Sequence, residues 1–534
     1  MQRLLIPAAR PAAALSLQAL AKWSALPWLM AALLLLGLVL RGSLLDRPGL
    51  HPDEALYAGW ALRIADGSDP ALLGVAVDKP PFLPYALAGA FRLAGVRPGL
   101  GEPDFERLEL AGRLLGVAAS VAALAALALI ARQVYGWPAA LAAVALAAAS
   151  PLAVRLSPTL FTDPWLVLWL LVAAWAALRG YGWRTGLAAG LAYAAKQQAV
   201  LFLPWLAALF LLVGLRQDDP SGGRRRSLWG LLWGFLLPVA LVTWWDSLRW
   251  QWRPSFWDRS LTTYGGVAPI APADLPRQAA AWAELLGFLF GSPPFALLLL
   301  ATLPLTAWAA WRERRTQRGR FDLLLQAQVA AYLALHLGTT LAPWDRYALP
   351  LAPLAALLLA SGLQRGAQWA RAAGTAAARP AGWLAAALVA AATLHASALA
   401  VGDRLPVGDS RGYDGAAAAA AYVRRSHPDA VLYHHWLGWH YSFYLHGSTV
   451  ELRWWETPAD LAAKAASEAG GRPQFVAVPA GRDAGPLLAA LADAHVTAQP
   501  ALTVRRGDGS LSLVLYRLQP GVAVPGALPG RGQP

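Results

Sequence analysis

The chain of 534 residues contains no cysteine and no asparagine. Without cysteine there is no disulfide, no thiolate metal site and no cysteine nucleophile. Without asparagine there is no N-glycosylation acceptor. Lysine is scarce as well, occurring only at Lys22, Lys79, Lys196 and Lys464. Charged residues make up 14% of the chain, against roughly 25% in soluble proteins. No Walker A sequence, no GxGxxG with a trailing acid, no GxSxG and no HExxH is present. The familiar nucleotide, serine-hydrolase and zinc-protease motifs are therefore missing.

What is abundant is apolar. Hydrophobic residues reach 57% and tryptophan alone counts 26. The formal net charge of +14 invites a polyanionic partner such as nucleic acid. Repeated apolar runs argue for a bilayer instead. Runs long enough to be read as spans are Trp23–Leu40, Leu110–Ala131, Pro138–Val154, Pro164–Leu178, Thr185–Leu215, Leu228–Trp245, Pro294–Trp311, Leu323–Leu341, Ala348–Leu363 and Gly382–Val401. Thr185–Leu215 holds two short helices broken near Lys196, which brings the count to eleven. Pro81–Gly95 and Ala279–Phe290 are shorter and read as lying on the membrane, or as two further spans. The expected fold is a polytopic α-helical membrane protein of about 11–13 helices.

Basic residues in short loops set the orientation. With eleven spans, the N-terminus and the segments 132–137, 179–184, 216–226, 312–320 and 364–380 share the cytoplasmic side. Together they carry 18 basic and 3 acidic residues, so the rest of the chain is close to neutral. The net charge is thus mostly a topological signal. The chain divides into a membrane module, 1–401, and an extracytoplasmic tail, 402–534. In the tail, helical and strand patterns alternate as in a small α/β domain, with a Gly/Pro-rich, disordered end.

Candidate site residues gather on the external face. His51-Pro52-Asp53-Glu54 opens a helix continued by Tyr57 and Trp60. Its plain reading is an interfacial helix with an acidic N-terminus. Its functional reading is a general base at headgroup level. Asp78-Lys79-Pro80-Pro81 offers an ammonium that either snorkels or binds a phosphate. Thr162-Asp163-Pro164 either caps a helix or places a second carboxylate beside Asp53. The loop after Trp245 mixes Trp257 and Tyr264 with Arg259, and Trp344-Asp345-Arg346-Tyr347 has the same character. Such residues are ordinary interface belt, or a surface for a sugar and a phosphate. Four tail histidines, His434, His435, His440 and His446, lack recognisable zinc spacing.

In this order the motifs resemble the GT-C glycosyltransferases, nearest the bacterial protein mannosyltransferase-like and aminoarabinose transferase-like branch. They are Asp53-Glu54-x-x-Tyr57, Asp78-Lys79-Pro80-Pro81, Thr162-Asp163-Pro164, the Gly186 to Lys196 stretch, the Trp244-Trp245 loop and Arg346-Tyr347. The resemblance implies an inverting transferase in the bacterial inner membrane. It would move a sugar from a polyprenyl-phosphate carrier to an extracytoplasmic lipid, glycan or protein. By that resemblance Asp53 is the base, supported by Glu54 and Asp163. Lys79, Arg259, Arg346 and Tyr347 bind the donor phosphate, and Tyr57, Trp257 and Tyr264 contact sugar or lipid. The resemblance fixes no cofactor; some members of the family bind a metal near the lysine equivalent to Lys79. Asp78 is a weak candidate ligand for a divalent metal, since the segment 246–291 has no histidine. The competing expectations are a transporter or flippase, or a non-catalytic scaffold. Against transport, the acids lie at one surface, and the sequence has no internal repeat.

Overall fold

A computed structural model describes residues 17–47, 49–98, 103–215, 223–263, 266–372, 378–402, 413–468 and 471–520. The chain begins with α1 (Leu17–Gly42), then two helices of the first loop, α2 (Pro52–Asp66) and α3 (Phe82–Leu93). There follow α4 (Phe105–Tyr135), α5 (Trp137–Ala149), α6 (Pro151–Arg155), α7 (Asp163–Leu178) and α8 (Gly182–Ala195). A 3-10 turn (Gln197–Phe202), α9 (Leu203–Leu209) and a π turn (Phe210–Gly214) come next. The module is completed by α10 (Gly223–Ser247), α11 (Phe256–Thr263), α12 (Leu275–Phe290), α13 (Pro293–Arg312), α14 (Gln317–Gly338), α15 (Asp345–Ala348), α16 (Leu351–Ala372) and α17 (Ala378–Val401).

The chain is a multi-pass helical membrane protein. Among the described residues, seven helical stretches are long and apolar enough to cross a bilayer, and α3, α5 and α7 are shorter apolar helices. Two expected spans are interrupted. Pro138–Val154 breaks between Ala149 and Pro151, because a proline cannot donate to the preceding turn. Ala348–Leu363 is split between α15 and α16 at Leu349-Pro350. The expected break at Lys196 is present: its backbone is extended, at φ −156° and ψ 130°.

Helices α8 and α10 approach backbone to backbone. A Cβ at Gly182 would lie 1.8 Å from the carbonyl oxygen of Ser227, and one at Gly186 2.1 Å from that of Leu231. Lipid gives helices no hydrophobic reason to associate, so small residues that permit close contact decide which helices pair. This packing fixes the end of α8, and with it Lys196.

The tail contributes α18 (Ala416–Ser426), β1 (Val431–His434), α19 (Gly438–Tyr444), β2 (Glu451–Trp454), α20 (Pro458–Ala466), β3 (Gln474–Pro479), α21 (Gly485–Asp493), β4 (Val496–Arg505) and β5 (Leu511–Pro520). The five strands form one sheet in the order β2-β1-β3-β5-β4. Strand β1 is parallel to β2 and β3, while β5 is antiparallel to β3 and β4. Strand β3 is buried throughout, with Phe475 and Val476 at the centre of the sheet. The sequence pattern anticipates most of these elements but not β2 or α19. The junction 403–412 and the Gly/Pro-rich end, 521–534, lie outside the described residues.

Candidate active site

Helix α2 starts with a capping box. The imidazole Nδ1 of His51 accepts the Asp53 amide at 3.1 Å, and Glu54 Oε2 accepts the His51 amide at 2.8 Å. Pro52 presets the first turn, and Gly67 closes the helix in the left-handed region at φ 81°. Burial pushes the His51 imidazole down to about 4, which keeps the ring neutral and Nδ1 free to accept. The cap holds Asp53 at the helix N-terminus.

Asp53 Oδ2 lies 2.7 Å from Nη2 of Arg346, and its side chain is 25% exposed. The Arg346 guanidinium also sits over the Phe161 ring, at 4.5 Å from its centroid. Burial pushes the Asp53 carboxyl up. Arg346, with Lys79, outweighs that effect and holds it below its ordinary value. Asp53 is therefore ionised at neutral pH and paired.

Asp163 is fully buried, and its Oδ1 accepts from Lys196 Nζ at 2.6 Å. Thr162 does not cap α7 with its side chain; its hydroxyl turns to Asp163 Oδ2 at 3.3 Å. The Lys196 ammonium lies 4.9 Å from the centre of the Tyr347 ring. The Tyr347 carbonyl in turn accepts the Tyr332 hydroxyl at 2.7 Å. Lys79 is buried and ion-paired with Asp78. Gln197 Nε2 donates to the Asp78 carbonyl at 3.0 Å and to Ser260 Oγ at 2.8 Å. That amide ties the Asp78-Lys79 loop to α11.

The sequence-derived residues divide accordingly. Asp53, Arg346, Asp163, Tyr347, Lys79 and Asp78 converge where α2, α7, α15 and the loop before α3 meet. Glu54 lies beside them but is structurally committed: Oε1 accepts the Leu160 amide at 2.8 Å while Oε2 holds the cap. Tyr57 is buried against Trp60, with ring centroids 5.4 Å apart. Trp257 stacks on Tyr193 and donates its indole N–H to the Tyr193 hydroxyl at 2.9 Å. Arg259 is exposed on α11 and makes no ion pair with a described residue. Tyr264 lies outside the described residues.

Two further residues are not among the sequence-derived site residues. The sequence marks Lys196 as a helix break and as the end of the Gly186 to Lys196 motif, without a site role, yet a lysine inside an apolar run is itself a functional signal. Asp246 is buried at the end of α10 and accepts from Ser255 Oγ at 2.6 Å and Trp250 Nε1 at 3.1 Å. It folds the Trp245 loop back on itself.

Among the described residues no three His, Asp or Glu side chains gather as ligands, and Asp78 is engaged by Lys79. The tail histidines are dispersed: His435 contacts the Trp455 carbonyl, His440 that of Leu50, and His446 the Asp66 carboxylate. A cavity of about 260 Å³ opens beside the Asp53–Arg346 pair, lined by His51, Phe161, Glu284, Phe288, Trp344 and Arg346. A larger one, about 630 Å³, lies at the other end of α2 near Asp66 and His446. That is roughly 20 Å along the helix from Asp53, too far to share its chemistry.

Residues 78–245 match the family model described as dolichyl-phosphate-mannose-protein mannosyltransferase. No curated protein matches the chain by sequence. Among solved structures, ArnT from Cupriavidus metallidurans in the apo state superposes with a TM-score of 0.62 at 16% identity, covering 93% of this chain and 98% of that one. The same protein bound to undecaprenyl phosphate gives 0.59 at 16% identity, with the same coverage. The Archaeoglobus fulgidus oligosaccharyltransferase gives 0.54 at 13% identity, over 93% of this chain and 75% of that one. The chain thus shares the fold of ArnT and of the oligosaccharyltransferase, and over residues 78–245 it matches a mannosyltransferase family model.

Proposed function

We propose that the protein is an inverting glycosyltransferase that takes a monosaccharide from a polyprenyl-phosphate carrier. The acceptor is a hydroxyl of a lipid, glycan or protein on the extracytoplasmic side of the bacterial inner membrane. The N-terminus is then cytoplasmic, residues 1–401 form the catalytic module, and 402–534 form an external domain. The observation that carries this reading is the Asp53–Arg346 pair, set beside Lys79 and the Asp163–Lys196 pair. Support comes from ArnT, whose fold is shared and which has been seen with undecaprenyl phosphate.

The chemistry follows from the charges. The acceptor hydroxyl gives its proton to the Asp53 carboxylate as its oxygen bonds to the anomeric carbon. The bond from that carbon to the phosphate oxygen breaks on the opposite face, and the electron pair leaves with the phosphate. Lys79 and Arg346 offset the charge that develops there, in a site sheltered from bulk water. Arg346 serves both steps: when it turns to the phosphate, Asp53 loses its counter-charge and becomes free to accept a proton. Asp163 holds Lys196 against the Tyr347 ring at the floor of the site. No step requires a metal.

The test is incubation of purified protein with a panel of polyprenyl-phosphate sugars, scoring polyprenyl-phosphate release. Turnover of one donor by the wild type and none by Asp53→Asn supports the reading. Full activity in Asp53→Asn removes the base, and no release from any donor removes the donor class.

A further inference from the structure

Helix α19 of the tail packs against α2, and α19 with the turn that follows it reaches both ends of α2. At the N-terminal end, His440 is fully buried, and its Nε2 lies 2.8 Å from the carbonyl oxygen of Leu50. A carbonyl only accepts, so Nε2 carries the proton. The ring stacks on Tyr413 at 5.2 Å, and Tyr413 packs edge-on against His51, the cap of α2. Two residues after His51 comes Asp53. A second arm starts at Tyr444, whose hydroxyl donates to Glu109 Oε1 at 2.6 Å. Glu109 pairs with Arg113, which donates to the carbonyls of Leu45 at 2.7 Å and Gly49 at 3.0 Å. At the C-terminal end, His446 Nε2 meets Asp66 Oδ2 at 2.6 Å. Between these polar contacts Phe443 packs on Phe105 at 5.1 Å.

The bonds from His440 and Arg113 fall on the backbone just before α2 rather than on α2's own cap. The segment leading into α2 has no regular secondary structure, so its carbonyls need partners from elsewhere. Two of them, at Gly49 and Leu50, are met by Arg113 and His440. A displaced Leu50 carbonyl moves His51, and His51 sets the direction of Asp53.

We propose that α19 is a clamp on the catalytic helix, and that His440 is the positioning residue that aims Asp53 through the Leu50 carbonyl. The tail domain is then part of the catalytic apparatus without touching substrate. The inference rests on the proposed role of Asp53, but its physical core does not.

The experiment uses the full chain in lipid nanodiscs and has two readouts. Hydrogen exchange of the amides of residues 50, 51 and 53–56 reads the protection of the segment directly. Turnover of the polyprenyl-phosphate donor reads its consequence. In His440→Ala, exchange there quickens about tenfold, while kcat falls about 10- to 100-fold with donor KM unchanged. His440→Gln places an amide donor near the same point and restores both readouts to within about threefold of wild type. Tyr444→Phe keeps the ring, drops the second arm, and shifts both readouts the same way by less. It also serves if His440→Ala does not fold. Unchanged exchange in His440→Ala overturns the clamp, as does a Gln variant no better than Ala. If the wild type turns over no donor, the proposed activity fails, while the exchange result still decides the clamp.

Discussion

Replacing Lys196 by methionine isolates an ion pair of the site whose carboxylate is fully closed to water. Asp163 is fully buried, Lys196 is 6% exposed, and the two atoms are 2.6 Å apart. Methionine fills most of the lysine stem but has no charge. Asp163 is then left with the Thr162 hydroxyl at 3.3 Å as its side-chain partner among the described residues. Removing one partner of a buried pair costs about 3–5 kcal/mol, because the other charge stays buried and uncompensated. The lost contact with the Tyr347 ring adds about 0.5–2 kcal/mol at most. Replacing both partners, Lys196→Met with Asp163→Leu, removes the charge as well as its counter-charge. Such swaps are often close to neutral. The double variant is therefore expected to be more stable than either single one, with a coupling energy above about 2 kcal/mol. Equilibrium unfolding in detergent micelles, followed by tryptophan fluorescence, measures all four corners of the cycle. A Lys196→Met variant within about 1 kcal/mol of wild type would refute the reasoning. Strict additivity in the double variant would refute it equally.

Three further outcomes are expected. Arg346→Gln removes the cation that holds the Asp53 carboxyl below its ordinary value and leaves burial, which acts upward. Activity is lost as pH falls through the carboxyl pKa, so the acid limb of kcat/KM moves to higher pH; a limb that stays in place contradicts the pairing. Lys79→Ala raises donor KM, read by titrating the polyprenyl-phosphate sugar. An unchanged KM ends its phosphate role. Gly186→Ala forces a Cβ to within 2.1 Å of the Leu231 carbonyl and destabilises the α8–α10 contact by about 1–3 kcal/mol, whereas unchanged unfolding would mean the helices separate freely.

Apolar runs and alternating patterns made the membrane helices and most of the tail legible. Both follow from local periodicity, which a sequence displays directly. Strand β2, Glu451–Trp454, escaped because its four residues are too few to set a period and half are charged. Helix α19, Gly438–Tyr444, escaped because His, Trp, Ser and Tyr follow one another without an apolar stripe. Its buried face is made of the aromatic and histidine residues that dock on α2 and α4, a purpose only the partner reveals. The break between α5 and α6 was marked by Pro151 and overridden by the length of the surrounding apolar run.

The site was legible in its charges and illegible in their pairing. Asp53, Glu54 and Asp163 share a face, and nothing in their spacing separates one from another. Their partners do. Glu54 spends both oxygens on backbone amides, so freeing it means undoing the cap of α2 and the Leu160 turn. Asp163 is sealed against a lysine that is itself buried, so freeing it leaves two charges stranded. Asp53 alone of the three is partly exposed, and its partner Arg346 lines an open cavity. An arginine there can exchange a carboxylate for a phosphate with the same planar fork of donors. Of the three, Asp53 is thus the carboxylate whose counter-charge can leave without dismantling the fold, which is why it is proposed as the general base.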